Sequence, residues 1–312
     1  MKLNNVNNEL QALLANAGIK NSIVSIQHLP DLQSDLEILF ERGILDRDFY
    51  DEIVSRYNDL QYDIEPPATF PEAKSIIITA TPQPKIRVNF GLAGKIFPVI
   101  IPPTYIHDTD EKAFNIISLY LCNKGYKISK AVLPEKSLAV HCGLAAYGKN
   151  NIAYVDGWGS FFRLKAFYSD IPCNSDNWQE FKMMEHCNKC TACFKSCPTK
   201  AITNDRFLID ATRCLTYLNE GPEEFPQWID PAWHNCLMGC MICQDVCPAN
   251  KELIDWIVEA EDFSESETVM VLNGIPKNKL PDETIEKLKR LYMLDDYALL
   301  GRNLSVLINN CA

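Results

Sequence analysis

The sequence has no long apolar run. No stretch reaches the ~20 residues that a membrane-spanning helix needs, so no spanning segment is expected. The first residues, Met1-Lys-Leu-Asn-Asn-Val-Asn-Asn, have neither the apolar core of a secretory leader nor a twin arginine. These absences point to the cytoplasm, and they argue against structural disulfides. Apart from two cysteine runs there is no internal repeat. Aspartate is missing from Glu111 through Val155, which leaves a long segment without its commonest short acid. The composition is not that of a disordered chain: 47% of residues are hydrophobic, enough for a packed core.

Cysteine, in contrast, is plentiful, with 13 in 312 residues. One run reads Cys187-Asn-Lys-Cys190-Thr-Ala-Cys193-Phe-Lys-Ser-Cys197-Pro198. Cys214 follows, and then Cys240-Met-Ile-Cys243-Gln-Asp-Val-Cys247-Pro248. The first run has the C-x2-C-x2-C-x3-C-P spacing of two-cluster ferredoxins, in which the fourth Cys of a run serves the other cluster. One [4Fe–4S] cluster is therefore expected on Cys187, Cys190, Cys193 and Cys247, and a second on Cys197, Cys214, Cys240 and Cys243. Three thiolates on one tight loop cap three irons, and a distant thiolate completes the set. The prolines after Cys197 and Cys247 stop each loop from continuing as helix. Zinc is the rival, because C-x2-C pairs also build tetrahedral sites, but it does not call for the asymmetric run. Cys122, Cys142, Cys173, Cys236 and Cys311 are left over and are expected to act as buried small hydrophobes.

Charge is unevenly spread within a net charge of −11. Residues 1–72 hold 13 acidic and 5 basic side chains, whereas residues 73–165 hold 5 acidic and 12 basic. A basic segment inside an acidic protein suits an anionic or phosphate-bearing ligand.

Apolar periodicity predicts a helix over residues 3–18, ended by Gly18, and one or two helices over 31–58. Pro66-Pro67 and Pro71 read as a linker. Ser75-Ile-Ile-Ile-Thr-Ala-Thr81 reads as a buried strand and residues 97–101 as a weaker one. A helix is expected from Asp110 to Cys122, a strand over 126–133 and a helix after Pro134. Residues 151–155 and 161–169 read as a hairpin around Asp156-Gly-Trp-Gly-Ser160. Beyond Asn250 the chain reads as mostly helical, with breaks at Pro276 and Pro281.

Glu135-Lys-Ser-Leu-Ala139, Gly143-Leu144, Gly148-Lys-Asn150, Gly159-Ser-Phe-Phe-Arg-Leu164 and Tyr168-Ser-Asp-Ile-Pro172 form a further group of motifs. With both cysteine runs and Arg213-Cys-Leu-Thr-Tyr217, they resemble the epoxyqueuosine reductases and, more distantly, the corrinoid reductive dehalogenases. The likeness covers roughly residues 70–255, and Leu300-Gly-Arg-Asn303 weakly resembles the family's C-terminal helices. It implies an α/β (α+β) corrinoid-binding, nitroreductase-like domain, followed by a two-[4Fe–4S] bacterial ferredoxin-like domain and C-terminal helices. The expected boundaries are a helical extension at 1–70, the α/β cofactor-binding domain at 71–178, the cluster domain at 179–255 and helices at 256–312. The resemblance also implies cobalamin without a histidine ligand below the cobalt. No D-x-H-x-x-G corrinoid motif is present. Gly143, Ala146, Gly148, Lys149 and Asn150 are the residues expected to meet the macrocycle, Gly143 and Ala146 by allowing close approach and Gly148-Lys149-Asn150 by offering donors to its peripheral amides and nucleotide phosphate.

The family places an acidic Asp shortly upstream of the helix matching Glu135–Gly143, where Ser129 and Lys130 stand in this sequence. Tyr105, His107, Glu135, His141 and Tyr147 are the available proton donors. Tyr105 and His107 are preferred, since they follow Ile101-Pro-Pro in a loop after a strand. The expected function is a cobalamin-dependent iron–sulfur reductase, fed by a low-potential ferredoxin or flavodoxin and acting on an unidentified small molecule. The missing Asp and the acidic flanks argue against tRNA as the main substrate. The alternative is an electron-transfer or corrinoid-handling protein with no substrate of its own.

Overall fold

The structure, a computed structural model, describes residues 3–56, 62, 64–204 and 207–310. The end of the helix expected over 31–58 and Cys311 lie outside the described residues. In chain order the elements are α1 (Leu3–Asn16), β1 (Lys20–Ser25), α2 (Leu29–Glu41), α3 (Arg47–Arg56), β2 (Ser75–Pro82), β3 (Lys85–Leu92), β4 (Lys95–Ile101) and α4 (Asp108–Cys122). There follow β5 (Ile128–Lys130), α5 (Glu135–His141), β6 (Ala146–Tyr147), β7 (Ala153–Tyr154), β8 (Phe162–Ser169), α6 (Ala192–Ser196), α7 (Leu215–Glu220) and α8 (Ile242–Asp245). Last come β9 (Ile257–Phe263), α9 (Glu265–Leu272), α10 (Asp282–Arg290) and α11 (Tyr297–Asn310). The chain packs as two units.

The first unit comprises Met1–Pro82, Asp108–Lys189 and Arg206–Leu208. Its sheet runs β1-β2-β8-β5, with every pair antiparallel. The apolar run of β2 follows from burial on both faces, because successive side chains of a strand point to opposite sides. Ile77 joins Leu10, Leu14, Ile117 and Leu121 from α1 and α4. Ile76 and Ile78 join Leu29 and Leu32 of α2 and Leu138 of α5. Burying one such side chain contributes about 2 kcal/mol. β1 escaped the sequence reading because it is a polar edge strand whose only strong apolar residues are Ile23 and Val24. It lies inside the expected helical extension and ties that extension into the sheet. Phe70 and Ala73, in the expected linker, are likewise buried in the core.

The hairpin expected from residues 151–169 does not form. β7 pairs with β6, and β8 pairs with β2 on one edge and β5 on the other. With both edges of β8 taken, residues 151–155 pair instead with β6 and, through the isolated bridge Val155–Gly159, with the intervening turn.

The second unit comprises Gln83–His107, Cys190–Asp205 and Ile209–Ala312. β3 and β4 form a hairpin through Ala93 and Gly94, both at positive φ (50° and 72°), the conformation of a tight primed turn. β9 adds in parallel to β3, the one strand among the described residues of a tail whose remaining elements, α9, α10 and α11, are helical as expected. Its sequence, Ile-Val-Glu-Ala-Glu-Asp-Phe, hides the strand because its acids serve cross-strand partners: Arg87 pairs with Glu259 at 2.6 Å, and Asn89 donates to Asp262 at 2.9 Å. Behind this sheet, Phe90, Phe263, Val271, Leu288, Leu300 and Leu304 form the core with α9, α10 and α11. Among the described residues no helix is long and apolar enough to cross a membrane.

Candidate iron–sulfur centre

Each cysteine run folds into a short helix, α6 or α8, with Pro198 and Pro248 just past its end. The amide of Cys197 donates to the Cys193 carbonyl at 3.0 Å, and that of Cys247 to Gln244 at 3.1 Å. Cys187 belongs to the first unit, whereas Cys190, Cys193 and Cys247 belong to the second. The other expected quartet lies wholly in the second unit. Cys197 is buried with Ala201 and Ile202, and Cys193, Cys214 and Cys243 pack against that group.

Electrostatics marks the same quartet. Burial pushes the Cys240 thiol up to about 11, the Asn235 amide works against that rise, and the charges of Cys214 and Cys197 add to it. Burial also raises the Cys214 thiol, opposed by the backbone amides of Thr216 and Tyr217 at the start of α7. Buried thiolates that oppose one another's ionisation are relieved by cationic iron. No three His, Cys, Asp or Glu side chains among the described residues close in on a single ion position.

The loop before Cys240 is held by amides that the sequence reading did not single out. Asn219 Nδ2 donates to the Gly239 carbonyl at 2.7 Å. Asn303 Nδ2 on α11 donates to the carbonyls of Asn219 at 3.1 Å and Leu237 at 2.9 Å. Arg302 donates to the carbonyls of Leu218 at 3.2 Å and Asn219 at 2.9 Å. Gly239 sits at φ +71°, and a Cβ there would lie 2.5 Å from the Tyr105 hydroxyl, so glycine is required twice over. The weak Leu300–Asn303 motif thus serves the cluster loop.

Tyr105 and His107, expected beside the cofactor of the α/β domain, both belong to the second unit. Tyr105 donates through its hydroxyl to Glu220, and the His107 ring stacks on Tyr292 with centroids 5.2 Å apart. Of the leftover cysteines, Cys142 and Cys236 are buried as expected, Cys173 is half-buried and Cys122 is exposed.

The five residues expected to meet a corrinoid lie in the first unit, packed against the chain itself. A Cβ on Gly143 would lie 2.3 Å from the Gln179 side-chain nitrogen, and one on Gly148 2.6 Å from Asn150 Oδ1 and from the Tyr154 ring. Asn150 is buried and donates to the Tyr154 hydroxyl at 2.9 Å. Ala146, in β6, and Lys149 are half-buried. Gly143 itself is exposed, whereas Gly148 and Asn150 are buried. Nearby, burial raises the Glu135 carboxyl despite Lys165 at 3.3 Å and the Ala166 amide. Burial also pushes the Tyr147 hydroxyl up to about 12. Trp178 is sandwiched between His28 and His141, with centroids at 4.1 and 4.6 Å.

With this geometry, the fold and cysteine arrangement define a mixed α/β protein with a double-cluster iron–sulfur domain. Residues 186–250 match the family described as "4Fe-4S double cluster binding domain", and this stretch contains all eight expected ligands. The chain is similar to epoxyqueuosine reductases. It is 38% identical over 125 residues to that of Cyclobacterium marinum, covering 40% of this chain and 39% of the relative. It is 36% identical over 138 residues to that of Escherichia coli, covering 44% and 35%. The matches thus span about two fifths of the length of these curated relatives. Among solved structures, the epoxyqueuosine reductase of Bacillus subtilis superposes with a TM-score of 0.70 at 21% identity, covering 99% of this chain and 82% of its own. An epoxyqueuosine reductase solved with an epoxyqueuosine-modified tRNA-Tyr stem loop gives a TM-score of 0.61 at 23% identity, covering 80% and 67%.

These findings correct two expectations. The substrate was expected to be an unidentified small molecule, with tRNA disfavoured. The matched relatives are instead epoxyqueuosine reductases, and one was solved on modified tRNA. Cobalamin dependence, expected from the same resemblance, gains no support from them.

Proposed function

We propose that this chain is an iron–sulfur oxidoreductase that reduces epoxyqueuosine in tRNA to queuosine. The observation that carries this reading is a single combination: a double [4Fe–4S] domain at 186–250 in a chain with the fold of epoxyqueuosine reductases. Removing an epoxide oxygen as water consumes two electrons and two protons. When bound, the clusters supply electrons one at a time. Cys187, Cys190, Cys193 and Cys247 would hold one cluster, and Cys197, Cys214, Cys240 and Cys243 the other. Asn219 and Asn303 keep the loop before Cys240 in place. Glu135 and Tyr147 are acids that the first unit offers, their proton affinities raised by burial.

The test is expression in a bacterium that lacks its own epoxyqueuosine reductase, scored by the modified nucleoside in its tRNA. Queuosine should replace epoxyqueuosine with this chain and fail to do so with Cys240→Ala. Persistent epoxyqueuosine, from protein shown to carry eight irons, would overturn the proposal and leave an electron-transfer role. Eight is the count for two four-iron clusters.

A further inference from the structure

Asn235 stands five residues before Cys240, outside both cysteine runs, and its side-chain amide is fully engaged. Oδ1 accepts from the Met241 amide at 2.8 Å and from the Cys236 thiol at 3.1 Å. Nδ2 donates to the Trp233 carbonyl at 3.0 Å and to Cys240 Sγ at 3.2 Å. A side-chain amide has two donor hydrogens and two acceptor lone pairs, and all four are used. Flipping the amide would set its NH2 against the Met241 N–H and its oxygen against the Trp233 carbonyl. The network therefore fixes which end faces sulfur. The whole arrangement lies within the second unit and is half-buried, so water competes weakly for the thiolate.

We infer that Asn235 is a positioning residue that raises the reduction potential of the cluster that Cys240 ligates, by donating a hydrogen bond to that thiolate. Reduction adds negative charge to a cluster and its sulfurs. A donor aimed at a ligating sulfur therefore stabilises the reduced form more than the oxidised form, and hydrogen bonds to sulfur are among the levers that set cluster potential. Asn235 also positions the ligand loop, because the same amide holds the Met241 N–H next to Cys240. The inference rests on Cys240 being a cluster ligand and is independent of which substrate the electrons reach.

The test is redox titration of anaerobically purified full-length protein, followed by electron paramagnetic resonance, comparing wild type with Asn235→Leu and Asn235→Asp. Leucine keeps the volume and removes the donor. Aspartate keeps an oxygen for Met241 and Cys236 and likewise removes the donor. With iron content unchanged, one cluster should become about tenfold harder to reduce in Asn235→Leu, which is about 59 mV for a one-electron couple. Asn235→Asp should fall at least as far, since added negative charge acts in the same direction. The second readout is the iron–thiolate stretching spectrum in light and heavy water: wild type should show an isotope shift that is smaller in both variants. A wild-type potential in Asn235→Leu, or in Asn235→Asp if the leucine variant loses iron, would overturn the inference. If Cys240→Ala leaves eight irons in place, the assignment of the ligand is what has failed.

Discussion

The two halves of this molecule are stabilised by different physics. The first unit is a sheet between helices, in which Ile76, Ile77, Ile78, Phe167 and Tyr168 are fully buried and apolar packing dominates. Around the cysteines of the second unit there is little regular structure beyond the short helices α6, α7 and α8. There the backbone is pinned by side-chain amides and a guanidinium donating to carbonyls: Asn219 to Gly239, Asn303 to Leu237 and Arg302 to Asn219. An apolar core tolerates loss of its cofactor. A loop of buried thiols that oppose one another's charge does not, because metal binding and local folding are coupled.

Removing iron is the largest perturbation of this contrast. Oxidative chelation should abolish hydrogen-exchange protection across residues 190–250 while the amides of β2 and β8 keep theirs. Retained protection around Cys240 without iron would show that the amide scaffold stands alone. The converse change is Phe167→Ala. A fully buried phenylalanine facing Ile77 and Ile117 should cost about 3–5 kcal/mol in chemical denaturation, with visible absorbance from the clusters unchanged until the chain unfolds. A weaker effect is expected from Asn303→Ala, which leaves the Leu237 and Asn219 carbonyls without their buried donor and should cost about 1–3 kcal/mol. That loss should appear as faster iron release at unchanged spectrum. If iron release is unaffected, α11 does not support the cluster loop.

The smallest expected effect is a pH dependence confined to the first unit. Burial works against the charge on His141, but the Asp35 carboxylate at 2.8 Å and the Gln179 carbonyl outweigh it, with Asp31 adding to them, so its pKa is raised. Its ring also stacks on Trp178 and meets the Phe181 ring edge-on. A pKa raised on folding contributes stability that is fully present below the unfolded value, about 6.5, and is lost as pH rises through the folded value. The contact between α2 and α5 should therefore weaken with rising pH. The loss should be read as a falling midpoint of thermal unfolding of this unit that His141→Gln reduces. Equal slopes in the two proteins would remove His141 from the account.

Legibility in the sequence followed the locality of the information. The β2 run, α4 and Gly18 at the end of α1 were readable because burial on both faces, helical periodicity and positive φ leave local marks. The eight cysteines were readable because cluster ligation imposes short, fixed spacings. β1 and β9 were not, since the polar and acidic residues of edge strands have their partners at a distance, as Glu259 does in Arg87. The grouping of Tyr105 and His107 with the cluster unit, instead of the α/β unit, was equally hidden.

The sequence by itself thus determined where iron could be held and which segments could be buried, because thiolate spacing and apolar periodicity are properties of neighbouring residues. Only the tertiary structure decided what surrounds those groups. Asn235 became a donor to Cys240, Gly239 came to lie under Tyr105, and the Gln179 side chain and the Tyr154 ring came to lie beside Gly143 and Gly148. Hydrogen bonds and steric closeness act between atoms in space, and a chain's order along its length does not specify which distant side chain will occupy a given few ångströms.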